Sequence, residues 1–73
     1  MEKQTFTESM KARGYALETV SNGNINATKG GNTVRLVPLA NYLIYIYTPT
    51  TTAIIRDGAT DDETLRIVDE LTA

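Results

Sequence analysis

The chain has 73 residues, which is enough for one small hydrophobic core and too few for two. Cysteine and histidine are both absent, so disulfide cross-links, thiol catalysis, histidine general bases and Cys/His zinc sites are excluded. The formal charge of -2, from 7 basic and 9 acidic residues, excludes both a histone-like polycation and a highly acidic disordered tail.

The first predicted element is a short helix over residues 6–13. Thr5 and Glu8 have the spacing of a capping box, in which each side chain can bond the backbone N–H of the other residue. Phe6 and Met10 are four residues apart and share one helical face. A helix of this length is not stable alone, so we expect both side chains to pack against another element.

Five short strands are predicted to follow this helix. They cover residues 15–20, 25–29, 33–37, 42–47 and 52–56. Asn22-Gly23 and Gly30-Gly31 are typical of tight hairpin turns, so the first three strands are expected to form an antiparallel meander. The link over 38–41 is compatible with a simple turn or with a crossover, which leaves the order of the last strands open.

The segment 42–47 is the most strand-like part of the sequence, and both of its faces are apolar. Strand alternation places Leu43, Tyr45 and Tyr47 on one face and Tyr42, Ile44 and Ile46 on the other. If one face meets the helices, the other presents an apolar patch of the kind that marks an interaction site. The alternative is a central strand whose second face is partly covered by its neighbours, with the tyrosine hydroxyls reaching water.

The last predicted element is an amphipathic helix over residues 61–71. Thr60 and Glu63 have capping-box spacing. The apolar stripe of this helix consists of Leu65, Ile67, Val68 and Leu71. The acids around its start are Asp57, Asp61, Asp62 and Glu63. These acids could ligate a hard cation, but the EF-hand spacing is absent and their favourable interaction with the helix dipole explains them.

The element order α-β-β-β-β-β-α predicts a two-layer α+β fold. An antiparallel sheet of four to five strands would carry the N-terminal and C-terminal helices on one face, with residues 1–73 forming a single domain. In topology this order resembles two small RNA-binding families, the double-stranded-RNA-binding domain and the mRNA-cleaving HicA-type toxins. The C-terminal helix carries acids where the first family keeps a lysine cluster, and the catalytic histidine of the toxins has no counterpart in this chain.

The predicted function is that of a small non-enzymatic protein-interaction module. A core of this size without disulfide or metal is marginally stable, and oligomerisation is a common remedy. We therefore expect a homodimer, formed through an apolar sheet face or an edge strand, with Leu43, Tyr45 and Tyr47 in contact. No catalytic residue, cofactor or metal is expected. No signal segment or membrane-spanning stretch is evident, so the expected location is the cytoplasm.

Two other functions are compatible with the sequence. The first is nucleic-acid binding through the sheet face and the hairpin 25–37, with Tyr45 and Tyr47 stacking on unpaired bases and Lys29 and Arg35 as flanking nucleic-acid contacts. The second is a small inhibitor or adaptor that docks on a larger protein through its acidic C-terminal helix. Residues 57–73 hold six acidic groups and one basic group, and the acids expected to make this contact are Asp61, Asp62, Asp69 and Glu70.

Overall fold

A helix begins the fold, five strands follow, and a second helix ends it. The computed structural model describes residues 1–56 and 58–73, so Asp57 lies outside the described residues. The helices are α1 (Lys3–Ala12) and α2 (Asp61–Leu71). The strands are β1 (Ala16–Thr19), β2 (Ile25–Lys29), β3 (Asn32–Val37), β4 (Leu43–Tyr47) and β5 (Thr52–Ile55). The predicted α+β fold with a helix at each end is confirmed.

The sheet is a five-stranded antiparallel meander in the order β1-β2-β3-β4-β5. The link over 38–41 is therefore a turn between neighbouring strands. After a short 3-10 turn over Pro38–Ala40, Asn41 and Tyr42 both adopt left-handed conformations, with φ of 57° and 56°. These two residues reverse the chain, so β4 starts at Leu43 and pairs back along β3. The prediction that Tyr42 belongs to this strand was wrong.

One face of the sheet carries the hydrophobic core. The strand register aligns two rows of side chains on this face: Leu17, Ala27, Val34, Ile46 and Ala53 in one, and Thr19, Ile25, Leu36, Ile44 and Ile55 in the other. The buried residues of α1 are Phe6 and Met10, and both belong to the same core cluster as Val68 of α2. Both helices thus cover the same side of the sheet, as predicted.

Helix α1 begins three residues before the predicted start. The Glu2 carbonyl accepts a hydrogen bond from the Phe6 N–H at 2.9 Å, and no side chain caps this end. Thr5 lies inside the helix, so the capping-box prediction for Thr5 and Glu8 was wrong. The free N–H groups at the start of a helix can be satisfied by water instead of a capping side chain. In that case no residue type in the sequence indicates where the helix begins.

Helix α2 has the predicted bounds and the predicted cap. The Thr60 hydroxyl accepts a hydrogen bond from the Glu63 N–H at 3.1 Å and donates one to the Glu63 carboxylate at 3.2 Å. Thr64 and Val68 are the buried residues of this helix. The remaining members of the predicted stripe, Leu65, Ile67 and Leu71, are partly buried and pack against the core.

An ion pair joins the two helices near their C-terminal ends. The Arg13 guanidinium donates from Nε and Nη2 to the two carboxylate oxygens of Asp69, at 2.7 and 3.0 Å. This hydrogen bonding holds the pKa of Asp69 below its ordinary value, and the nearby positive charge acts in the same direction. The pair connects residues 56 positions apart in the chain.

Replacing Asp69 with Asn is expected to lower the free energy of unfolding by at most about 1 kcal/mol at neutral pH, because the pair is largely exposed. The folded-state pKa of Asp69 is depressed, so the pair stabilises the fold above the unfolded carboxyl pKa of about 3.9. This contribution is lost as the pH falls through the folded-state pKa. Urea unfolding at several pH values should show a difference between wild type and variant at pH 7 that disappears in acid.

The control for this experiment is Glu70→Gln, which removes an exposed carboxylate from the next position of α2. It should not lower the urea midpoint at pH 7. A difference between wild type and Asp69→Asn that is equally large at neutral pH and in strong acid would contradict the assigned role of the ion pair.

Candidate interaction surface

The sheet face turned away from the helices is called the open face here. The register gives it two rows: Glu18, Asn26, Arg35, Tyr45 and Ile54 in one, and Ala16, Thr28, Thr33, Tyr47 and Thr52 in the other. The pair Val37 and Leu43 lies at one end of these rows. The buried apolar residues of the helices belong to the core on the opposite side, and no other described helix or strand forms a layer over this face.

Strand β4 places Leu43, Tyr45 and Tyr47 together on the open face, as the alternation predicted. All three are half-buried, whereas Ile44 and Ile46 between them are buried in the core. Val37 and Ile54 extend the apolar surface, since they pair with Leu43 and Tyr45 across the sheet. The side chain of Ile54 is 44% exposed. We call Val37, Leu43, Tyr45, Tyr47 and Ile54 the apolar strip.

The two tyrosines of the strip are stacked. The ring centroids of Tyr45 and Tyr47 are 6.2 Å apart and their planes differ by 7°, because residues two apart on a strand point to the same side. Arg35 lies beside them, with its guanidinium carbon 5.5 Å from the Tyr47 ring centroid. Its Nε donates to the Asn26 side-chain oxygen at 2.7 Å. These contacts fix Arg35 at the border of the strip.

Lys29 does not lie near Arg35. Its ammonium group donates to the Arg13 carbonyl at the end of α1 at 2.7 Å, and lies 5.8 Å from the Tyr15 ring centroid. Lys29 follows the core residues Ile25 and Ala27 at two-residue intervals along β2, so its side chain lies on the helix side of the sheet. The structure therefore does not bring Lys29 and Arg35, the two predicted nucleic-acid contacts, together on one face.

The acids of α2 are separated by the structure. Asp69 is engaged with Arg13, whereas Asp61, Asp62 and Glu70 are exposed on the helix surface. Within residues 1–56 and 58–73, no group of three or more carboxylates could hold a metal ion. The cation site considered from the sequence also includes Asp57, which lies outside the described residues.

The sequence contains one signal for this surface that the sequence analysis missed, which is the absence of charged residues around β4 and β5. No Asp, Glu, Lys or Arg occurs in the 20 residues from Leu36 to Ile55, a segment that spans β4 and β5. Glu18 on β1 and Arg35 on β3 are the charged residues of the aligned rows. The open face is thus divided into a polar half and an uncharged apolar half, and Ile54 belongs to the second.

The surface grooves lie elsewhere. Two shallow grooves, of about 530 and 520 Å³, both border Arg13 and Asp69 in the helix layer. Among the described helices, none has the length and apolar content needed to cross a membrane. Neither of these two grooves borders the apolar strip.

Comparison of the chain with protein-family models, with curated proteins and with solved structures gives no match. The function is therefore inferred from the geometry of the fold.

Proposed function

We propose that this protein is a non-enzymatic interaction module that self-associates by packing the apolar strips of two copies against each other. The observation that carries the proposal is the one-sided coverage of the sheet. Both helices pack on one face, and the other face presents aromatic and aliphatic side chains on two adjacent strands. Contiguous exposed apolar surface of this kind is typical of protein-protein contacts.

The strip is suited to such a contact because its side chains are held in place before binding. The backbone of β4 is paired on both sides, and the tyrosine rings stack on each other, so little conformational freedom remains to be lost on association. Tyrosine is also among the residues that contribute most at interface centres. The hydrophobic effect would favour this contact, since removing apolar surface from water is favourable by about 25 cal/mol per Å².

A second copy of the chain is the partner that the charge distribution favours. In a two-fold symmetric contact each residue can lie near its own symmetry mate, so a charged patch would repel itself. The strip carries no charge, and the nearest cation, Arg35, is held at its border by Asn26 and Tyr47. Association would also compensate for the small size of the core.

The test is the Tyr45→Glu substitution, with molar mass measured by light scattering and sedimentation. Tyr45 lies opposite Arg35, so a carboxylate at this position can pair with the guanidinium and leave the monomer folded. Across a two-fold contact the new charges repel, and we expect the mass to fall at least two-fold. The matched control is Thr28→Glu, which adds the same charge to the open face outside the strip.

The control should keep the wild-type mass, and circular dichroism should show that both variants are folded. A Tyr45→Glu variant with the wild-type mass at the same concentration would overturn the proposed contact. So would a wild-type chain that stays at the monomer mass of 8.0 kDa in concentrated solution.

One observation supports single-stranded nucleic acid as a second candidate partner. The parallel rings of Tyr45 and Tyr47 and the adjacent guanidinium of Arg35 are the groups that bind unpaired bases and phosphates. Two observations count against this candidate. Arg35 is the one cation in the aligned rows of the open face, and the chain has a net negative charge. Salt-sensitive mobility shift of a labelled single strand, lost in Tyr47→Ala, would favour this candidate over self-association.

A further inference from the structure

We propose that β5 is a second self-association contact, at which the free edge of one copy pairs antiparallel with β5 of another to make one continuous ten-stranded sheet. This contact would use backbone groups along the sheet edge. It is distinct from the apolar strip, which would use side chains on the sheet face. The inference therefore goes beyond the proposed function and does not depend on it.

The meander leaves two edge strands, β1 and β5, and they differ in character. Proteins usually protect an exposed edge with charged residues, proline or a bulge, because unpaired backbone groups recruit other strands. Strand β1 carries Glu18. Strand β5 has the sequence Thr-Ala-Ile-Ile, with no charge and no proline. Its β-branched residues also favour extended pairing.

The hydrogen-bond pattern shows which groups of β5 face outward. The Thr48 N–H donates to the Thr51 carbonyl at 2.8 Å, which closes the turn between β4 and β5. In an antiparallel ladder, alternate residues of a strand bond the same neighbour. Ala53 therefore directs its N–H and carbonyl towards β4, whereas those of Thr52 and Ile54 point to the free edge. Thr52 and Ile54 are both exposed.

The partner that fits this edge is a second copy. An antiparallel pair of identical strands has two-fold symmetry, and the uncharged stretch from Leu36 to Ile55 places no like charges against each other. The pairing would also bring the exposed Ile54 side chains of the two copies close together on the open face. The apolar strips of the two copies would then form one continuous strip. The neighbouring Ile54 side chains would each cover part of the other's exposed surface.

Both contacts can form in one assembly. The two-fold axis of the edge pair is perpendicular to the sheet, whereas that of the face-to-face pair lies parallel to it. Where these two perpendicular axes intersect, they generate a closed tetramer, a common form of homo-oligomer. Loss of either contact alone would leave a dimer.

The test is Thr52→Pro, which removes an outward N–H without removing a hydrogen bond from the ladder with β4. The matched control is Thr19→Pro on β1. The Val20 N–H donates to the Asn24 carbonyl at 2.8 Å, so by the same alternation the Thr19 N–H also points outward. We expect Thr52→Pro to halve the molar mass and Thr19→Pro to leave it unchanged. A Thr52→Pro variant that is folded and has the wild-type mass would overturn the proposal.

Amide hydrogen exchange on the unaltered chain provides a test that needs no substitution. The amides of Thr52 and Ile54 should become protected as the protein concentration rises, whereas those of Leu17 and Thr19 on β1 should exchange rapidly throughout. Equal, rapid exchange at both edges at every concentration would overturn the proposal, even where Thr52→Pro fails to fold.

The outcomes separate the two contacts. If Tyr45→Glu halves the mass but Thr52→Pro does not, the face contact stands and the edge contact fails. The reverse result removes the proposed function and leaves the edge contact. The double variant should be monomeric if both contacts exist.

Discussion

Replacing Phe6 with Ala is expected to leave most of the protein unfolded at 25 °C. Phe6 is fully buried and lies where α1 meets the sheet. Truncating a buried phenylalanine to alanine costs about 3–5 kcal/mol. A single core in a chain of this size rarely supplies more than about 3–5 kcal/mol in total. Circular dichroism in a urea titration should show loss of the folded baseline before any denaturant is added.

Two controls define this result. Phe6→Leu keeps an apolar side chain in the core and should cost about 1 kcal/mol, so the variant should unfold cooperatively at a lower urea midpoint. Glu8→Ala changes an exposed position of the same helix and should leave the midpoint nearly unchanged. A Phe6→Ala variant with a wild-type midpoint would show that α1 contributes little to the core.

The second large effect is expected at Ile46, where alanine should cost about 2–5 kcal/mol of unfolding free energy. Ile46 is fully buried between Val34 and Ala53 in the core face of the sheet. Tyr45, the preceding residue, points to the open face and is only half-buried. At a protein concentration at which the chain is monomeric, Tyr45→Ala should therefore cost clearly less unfolding free energy than Ile46→Ala.

The same pair of variants separates folding from association. In concentrated solution Tyr45→Ala should lower the molar mass, whereas a folded Ile46→Ala population should keep the wild-type mass. If Tyr45→Ala destabilised the monomeric chain as much as Ile46→Ala, the open face would be covered by another part of the chain. The basis of the proposed function would then be lost.

The sequence predicted the sheet well because its signals are local. The alternation in 33–37 and 42–47 separates Val34, Leu36, Ile44 and Ile46 from the residues of the opposite face, and the structure has the same division. The Thr60 cap fixed the start of α2 for a similar reason, since the groups that bond are three residues apart. These patterns depend only on backbone periodicity and neighbouring residues.

The wrong predictions concern the starts of α1 and β4, which no side-chain pattern in the sequence indicates. Helix α1 starts on a backbone hydrogen bond from Phe6 to Glu2, with no capping side chain to indicate it. Tyr42 adopts a left-handed conformation that is unusual for an aromatic residue. The high strand propensity of tyrosine therefore led to its wrong assignment to β4.

The candidate site was predicted only in part. Leu43, Tyr45 and Tyr47 could be grouped from the period of one strand, but Val37 and Ile54 join them only once the pairing register of three strands is known. The separation of Lys29 from Arg35 also depends on the pairing between β2 and β3.

The meander has a consequence for how the chain reaches its native state. Each strand pairs only with its neighbours in sequence, through links of two to five residues. Closing such short loops costs little chain entropy at each step, and small domains rich in local contacts fold rapidly. The β4–β5 hairpin, whose strands are joined by a link of four residues, is therefore expected to form early in folding.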